Sequence, residues 1–152
     1  MNIRAADGKD FETVKEITLT TIKEIYPKYY PEGAVKIFIN HHSDENIMRD
    51  LNKGTVYLLI TDDGDAAGTV TLTCNEIDRL FVLPSYQGKG YGRALLDFAE
   101  NEIAKTYDKI IIHASMSAKK IYLKRGFKEI EYNTLDTGYG DYLCFDMMEK
   151  LL

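Results

Sequence analysis

The segment that most narrows the fold is an apolar run, Leu80-Phe81-Val82-Leu83-Pro84, followed by Gln87-Gly88-Lys89-Gly90-Tyr91-Gly92 and then by Arg93-Ala94-Leu95-Leu96. The apolar run reads as a strand that Pro84 must end, because proline has no N–H to give to a ladder. Beyond the glycines, Gly92, Leu95, Leu96, Ala99 and Ile103 recur at the spacing of one face of a long amphipathic helix. "KIIIHAS" then reads as a further strand, buried on both faces by its unbroken apolar run. Strand, glycine loop, helix and strand together form a βαβ crossover, which demands a parallel pair within an α/β sheet.

A strand that enters a helix through glycines aims unpaired N–H groups and the positive end of the helix dipole at one point, which is a setting for phosphate. Lys89 and Arg93 add positive charge nearby. Two phosphate motifs fail on spacing. A P-loop requires Ser or Thr after its Gly-Lys pair, and none stands there. A dinucleotide fingerprint requires a third glycine where Arg93 stands and an acidic residue closing the next strand, where the chain has His113-Ala114-Ser115. Taken alone, the spaced glycines are also compatible with a plain tight turn.

The rest of the chain predicts a mixed α/β domain over residues 1–152, with no repeat or linker to mark a second one. A short strand over residues 2–6 precedes a helix capped by Asp10 that stops before Pro27; a helix from Pro31 and one capped by Ser43 and ended by Gly54 follow. "TVYLLIT" and "AAGTVTLTC", joined through Asp62-Asp63-Gly64-Asp65, read as an antiparallel hairpin. Ser117 is placed to cap a short helix "AKKIYLKR" ending at Gly126, and "FKEIEY" and "DYLCFDMMEK" complete about seven mostly antiparallel strands flanked by four to five helices.

A net charge of −5 argues against general nucleic-acid binding and suits a cationic substrate. Cys74 and Cys144 lie in apolar runs without metal-ligand spacing, so buried free thiols in a reducing compartment and no metal are expected. No segment has the length and apolarity of a membrane span or a signal peptide, giving the expectation of a soluble, cytoplasmic protein.

"LFVLPSYQGKGYGRALL" resembles the acetyl-CoA signature of the GNAT superfamily of N-acetyltransferases, Gln/Arg-x-x-Gly-x-Gly/Ala after a strand and proline. "AKKIYLKRGF" is similar to the family's second signature, with Ala118, Tyr122, Gly126 and Phe127 in register, and the order of elements fits nearly the whole chain. The resemblance implies a GNAT fold. It also implies that Gln87, Gly88, Lys89, Gly90, Tyr91, Gly92 and Arg93 cradle a CoA pyrophosphate. Leu80, Phe81 and Val82 would then hold the pantetheine and thioester through the main chain, with Ala118 beside them. Family members commonly carry Asn where this chain has Ser115, whose hydroxyl has a shorter reach.

Acetyl transfer to an amine requires loss of a proton from an ammonium of pKa about 10, a polarised carbonyl and a proton for the leaving thiolate. By resemblance Tyr122 supplies that last proton, and Glu76, eleven residues before Gln87, stands where the histone-acetyltransferase branch keeps a catalytic glutamate. Glu76 also reads as an ordinary polar residue at a strand end; Asp78, expected on the same pleat face, is the reserve. The acceptor site implied is Tyr26, Tyr29 and Tyr30 facing Asp136, Tyr139 and Asp141, groups suited to an ammonium. His41 and His42 read as surface residues of a helix end.

The function expected is direct transfer, in a ternary complex, from acetyl-CoA to a primary amine of a small molecule. Peptide or protein amines, or a noncatalytic acyl-CoA-binding module, are the other readings. A homodimer is implied by resemblance alone.

Overall fold

The computed structural model describes residues 1–152. Seven strands, β1 (Asn2–Ala5), β2 (Val56–Ile60), β3 (Ala66–Thr73), β4 (Glu76–Val82), β5 (Lys109–Ala114), β6 (Lys128–Asp136) and β7 (Tyr142–Leu151), form one sheet in the order β1-β2-β3-β4-β5-β7-β6. Only β4 and β5 run parallel, as the crossover through α4 (Tyr91–Ala104) requires. Helices α1 (Phe11–Ile25), α2 (Glu32–His41) and α3 (Asp44–Asn52) precede β2, and α5 (Lys119–Lys124) joins β5 to β6. The chain therefore has the expected mixed, mostly antiparallel sheet.

Each sheet face carries its own core. Ile17, Ile22, Ile47, Leu58 and Phe81 pack under α1–α3 on one side. Ile77, Leu95, Leu96, Ile103, Ile110 and Met148 pack under α4 and α5 on the other. At roughly 1.5–3 kcal/mol for each large side chain removed from water, both layers are major contributors, so neither helical layer is an accessory. The expected α4 stripe holds: Leu95, Leu96, Ala99 and Ile103 are all buried.

Several local expectations are corrected. Asp10 does not cap α1. The chain enters through a 3-10 turn capped by Asp7, and the Asp10 carboxylate reaches back to the Asp7 N–H (3.0 Å) and to Arg4 (2.7 Å). Ser117 does not cap α5; its hydroxyl lies 3.0 Å from that of Ser115, and Ala118 holds the cap position without a side-chain bond. Ser43 does cap α3, accepting from the Asn46 N–H. Cys74 is exposed, in the tight β3–β4 turn with φ of 55°, and Cys144 is half-buried, so neither is a core thiol. Strand β5 is fully buried on one face only; on the other Ile111 is buried but Lys109 and His113 emerge.

The sheet is interrupted at one place. Strand β4 pairs with β5 only through Glu76↔Ile111 and Ile77↔Ile112, after which the two separate. On the β3 side Leu72 faces Ile77 and Thr71 faces Arg79, leaving Asp78 as an extra, bulged residue. The bulge turns the main chain over. Ahead of it, the Asn75 carbonyl accepts from the Ile111 N–H; beyond it, the Leu83 N–H donates to Ala67 on β3. By alternation, the main-chain groups of Leu80 and Val82 are turned into the opening between β4 and β5.

Candidate active site

The separation of β4 from β5 opens a cavity of about 1050 Å³ that connects the two sides of the sheet. Leu80, Phe81 and Val82 line its β4 wall, Ile112, His113 and Ser115 its β5 wall, and Ala118 and Tyr122 its α5 wall. Gln87, Gly88, Gly90, Gly92 and Arg93 close one end. Sequence positions far apart are thus brought together as the two signatures suggested.

The glycine end presents main-chain donors. Gly88 and Gly90 have φ of 76° and 88°, and a Cβ there would meet nothing within 4 Å, so glycine serves the left-handed backbone rather than space. Helix α4 starts at Gly90 without a side-chain cap, and its first helical donor is Ala94, bonded to Gly90 O at 3.0 Å. The N–H groups of residues 88–93 have no main-chain acceptor in the fold, so a run of donors and the helix dipole open onto the cavity. Gln87 is a brace: its N–H is used by Pro84 O, and its Nε2 donates to Val82 O at 3.0 Å. Lys89 and Tyr91 lie outside the lining, gathered around Tyr86, with the Lys89 ammonium 4.9 Å from that ring's centroid.

Tyr122 is buried beside the gap. Burial first, then the nearby Tyr26, pushes its phenol well above the usual range and holds it protonated at any working pH. Burial likewise raises Tyr26, against a smaller opposing effect of the Ser115 hydroxyl. The Tyr30 phenol is pushed up to about 12, chiefly by burial, and accepts from the Met116 N–H at 2.6 Å. It locks the β5–α5 turn to the first helical layer and does not line the cavity.

At the opposite end Tyr29 is half-exposed in the lining, with Phe38, Phe145 and His41. Glu76, Asp78 and His113 complete this end, with Glu76 Oε1 2.7 Å from His113 Nδ1. The hydrogen bond to Glu76 raises His113 above its ordinary value, and burial raises Asp78. The acidic groups expected from the β6–β7 loop are engaged elsewhere. Asp141 accepts from the Gly33 N–H at 2.8 Å and from the Thr137 hydroxyl at 2.6 Å, capping the start of α2 from a distance. A side chain at position 33 would collide with that carboxylate, which accounts for glycine there. Asp136 accepts from the Gly138 N–H, and Tyr139 stacks under the Lys36 ammonium at the surface.

Sequence reasoning missed two features. The sequence marks His113 with no motif of its own; its pairing with Glu76 follows from the parallel register, since Glu76 faces Ile111 and His113 is the next residue on that face. His42 is buried, not a surface residue. Its Nδ1 accepts from Arg79 Nε at 3.1 Å while Arg79 also holds Asp50, tying α2 and α3 to β4 just past the bulge. Because arginine can only donate, that Nδ1 is bare, and burial depresses His42 to about 3. The one signal available was Asp50 on the apolar side of α3.

Residues 25–152 match the family described as an acetyltransferase (GNAT) domain. An uncharacterised N-acetyltransferase of Shouchella clausii (strain KSM-K16) is 39% identical over 71 residues, 46% of this chain and 41% of that protein. One from Halalkalibacterium halodurans is 37% identical over 73 residues, 46% of this chain and 40% of that one. The chain spans about two-fifths of the length of the curated relatives it matches. Among solved structures, a GCN5-related N-acetyltransferase from Rhodopseudomonas palustris superposes with a TM-score of 0.89 at 23% identity, covering 99% of this chain and 95% of that one. PaiA N-acetyltransferase from Thermoplasma acidophilum, in complex with coenzyme A, gives 0.77 at 22%, covering 99% and 98%. At such identities the superpositions speak for the fold.

Proposed function

The chain belongs to the GNAT acetyltransferase family, and from that premise we propose that it transfers an acetyl group from acetyl-CoA to the primary amine of a small, cationic molecule, directly and in a ternary complex. The observation that carries this reading is the run of unpaired N–H groups at residues 88–93, opening into the same cavity as Tyr122 and the turned-out main chain of Leu80 and Val82.

In this reading residues 88–93 hold the pyrophosphate, and Arg93 adds charge at the cavity end. The Val82 carbonyl is already taken by the Thr21 hydroxyl and by Gln87, which leaves its N–H for the pantetheine arm. The Leu80 N–H donates to the thioester carbonyl oxygen and stabilises the charge that develops there. Glu76 accepts one proton from the acceptor ammonium, freeing the lone pair that forms the new C–N bond as the C–S bond breaks. The nitrogen surrenders a second proton and the sulfur gains one through Tyr122. Full transfer from a phenol of pKa about 10 to a thiolate whose acid has pKa about 8.5 is uphill by roughly 2 kcal/mol, and burial of Tyr122 adds to that. Tyr122 therefore works as a donor replenished in the same step, not as a free acid.

Tyr26 and Tyr29 belong to the acceptor side with Glu76 and Asp78, two carboxylates that suit a cation. Ser115 and Ala118 border the cofactor arm, whereas Tyr30 and Asp141 support the walls. The homodimer implied by family resemblance would use β6, an edge strand with Ile130, Tyr132 and Leu135 exposed; sedimentation across a dilution series tests it.

The test is thiol release from acetyl-CoA with a panel of small amines, against controls lacking protein or amine. Release with one amine class is expected. Silence across the panel, with acetyl-CoA still raising the melting temperature, would favour a peptide or protein acceptor or a binding module.

A further inference from the structure

We propose that Glu76 and His113 act as one proton-accepting pair, in which Glu76 meets the acceptor amine and His113 is the positioning residue that fixes the carboxylate and sets the pH at which it becomes effective. The inference rests on the acetyltransferase reading of this site and deepens it. The two side chains come from the only parallel pair in the sheet, Glu76 opposite Ile111 and His113 one residue past the last paired rung, where the strands begin to part. Their 2.7 Å contact lies in the cavity wall, and both are partly open to solvent, at 32% for Glu76 and 46% for His113.

The charged groups that act most strongly on His113 are acidic: Glu76 and Asp78 from β4, and Glu131 from β6. On the β7 side its neighbour is the Phe145 ring, edge-on at 5.7 Å, which limits its rotation. The carboxylate can only accept, so the 2.7 Å contact is a bond that His113 Nδ1–H donates to Glu76, and the Nδ1 position is already filled. That bond fixes one carboxylate oxygen and leaves the other for the acceptor. One N–H bond of the ammonium breaks and one O–H bond forms at that second oxygen, which passes the proton on to solvent and leaves the amine neutral. Below the His113 pKa the imidazolium holds the carboxylate as an ion pair and withdraws it from the amine, so activity falls with an acid limb that belongs to His113.

Two measurements decide the matter. The first, independent of turnover, is the NMR titration of His113 in wild type and in Glu76→Gln. The expected result is a pKa above the ordinary 6.5 or so that drops in the variant; an unchanged titration overturns the pair. The second is the pH profile of kcat/KM with an amine that is turned over. Wild type is expected to show an acid limb at the His113 pKa. In His113→Gln that limb moves to lower pH and kcat near pH 8 falls about tenfold, while the rise in melting temperature given by acetyl-CoA is kept. Glu76→Gln is expected to lose about a hundredfold in kcat. A limb and rate unmoved in His113→Gln overturn the inference and leave the acetyltransferase intact. Failure of wild type with every amine is a failure of the small-molecule reading instead, and the NMR comparison then decides the pair alone.

Discussion

Tyr122 and Asp141 show how differently two polar side chains at one cleft are employed. Tyr122 opens onto the cavity with a phenol that burial keeps protonated. Tyr122→Phe is therefore expected to lower kcat by about a hundredfold with acetyl-CoA affinity nearly unchanged, measured by steady-state kinetics and equilibrium binding. Unaltered turnover would remove the role. Asp141 instead serves the Gly33 N–H at the start of α2. Asp141→Ala is expected to cost about 1 kcal/mol in urea denaturation with no change in acceptor KM, the mark of a lost cap. That the loop glycines and Tyr122 belong to one region was legible in the sequence because each sits in a spaced motif, and the fold places Gly88, Gly90, Gly92 and Tyr122 on one cavity. His113, His42 and the true role of Asp141 were not. Each depends on a partner 37 to 108 residues away, which only strand register and helix docking bring near.

Among the elements, the glycine loop with α4 was readable from local chemistry, as was the cap of α3 by Ser43. The β4 bulge was not, because an extra residue at Asp78 leaves no mark on the apolar pattern that follows it. What pins the strand past that bulge is the buried group Asp50, Arg79 and His42, which joins α2 and α3 to β4. Its pH behaviour has a definite sign. His42 titrates near 3 in the fold against about 6.5 when unfolded, so in that window the unfolded chain takes up a proton that the native one refuses. Stability is therefore lost as pH falls from about 6.5 toward 3. Asp50, lowered overall because its bonds to Arg49 and Arg79 outweigh the opposing cost of burial, adds to the loss in the acid range. His42→Asn keeps an acceptor for Arg79 and removes the histidine's share. Its melting temperature is expected to decline less between pH 6 and 4 than that of wild type.

The whole molecule is two helical layers on one sheet, and the candidate cavity runs through the sheet where β4 and β5 part. A ligand seated there touches β4, β5, α4 and α5 together, so its binding is linked to global unfolding. Acetyl-CoA at about 100 times its Kd is expected to stabilise the protein by about 2.7 kcal/mol, a rise of roughly 5–10 °C in Tm by thermal denaturation. A shift below 1 °C at saturation would show that the cavity is not its site.

The parting of β4 from β5 can also be viewed as a sheet short of one strand. An extended, amide-bearing ligand arm laid beside Leu80 and Val82 would fill that place and give their outward main-chain groups the partners β5 withholds. In the free protein the Leu80 and Val82 amides should accordingly be among the fastest of the sheet interior to exchange with deuterium, and saturating acetyl-CoA should slow them more than their neighbours Arg79 and Phe81, which already bond across to β3. The ligand would then be the last rung of the fold, and the unliganded protein a native state that is still one hydrogen-bonded edge from complete.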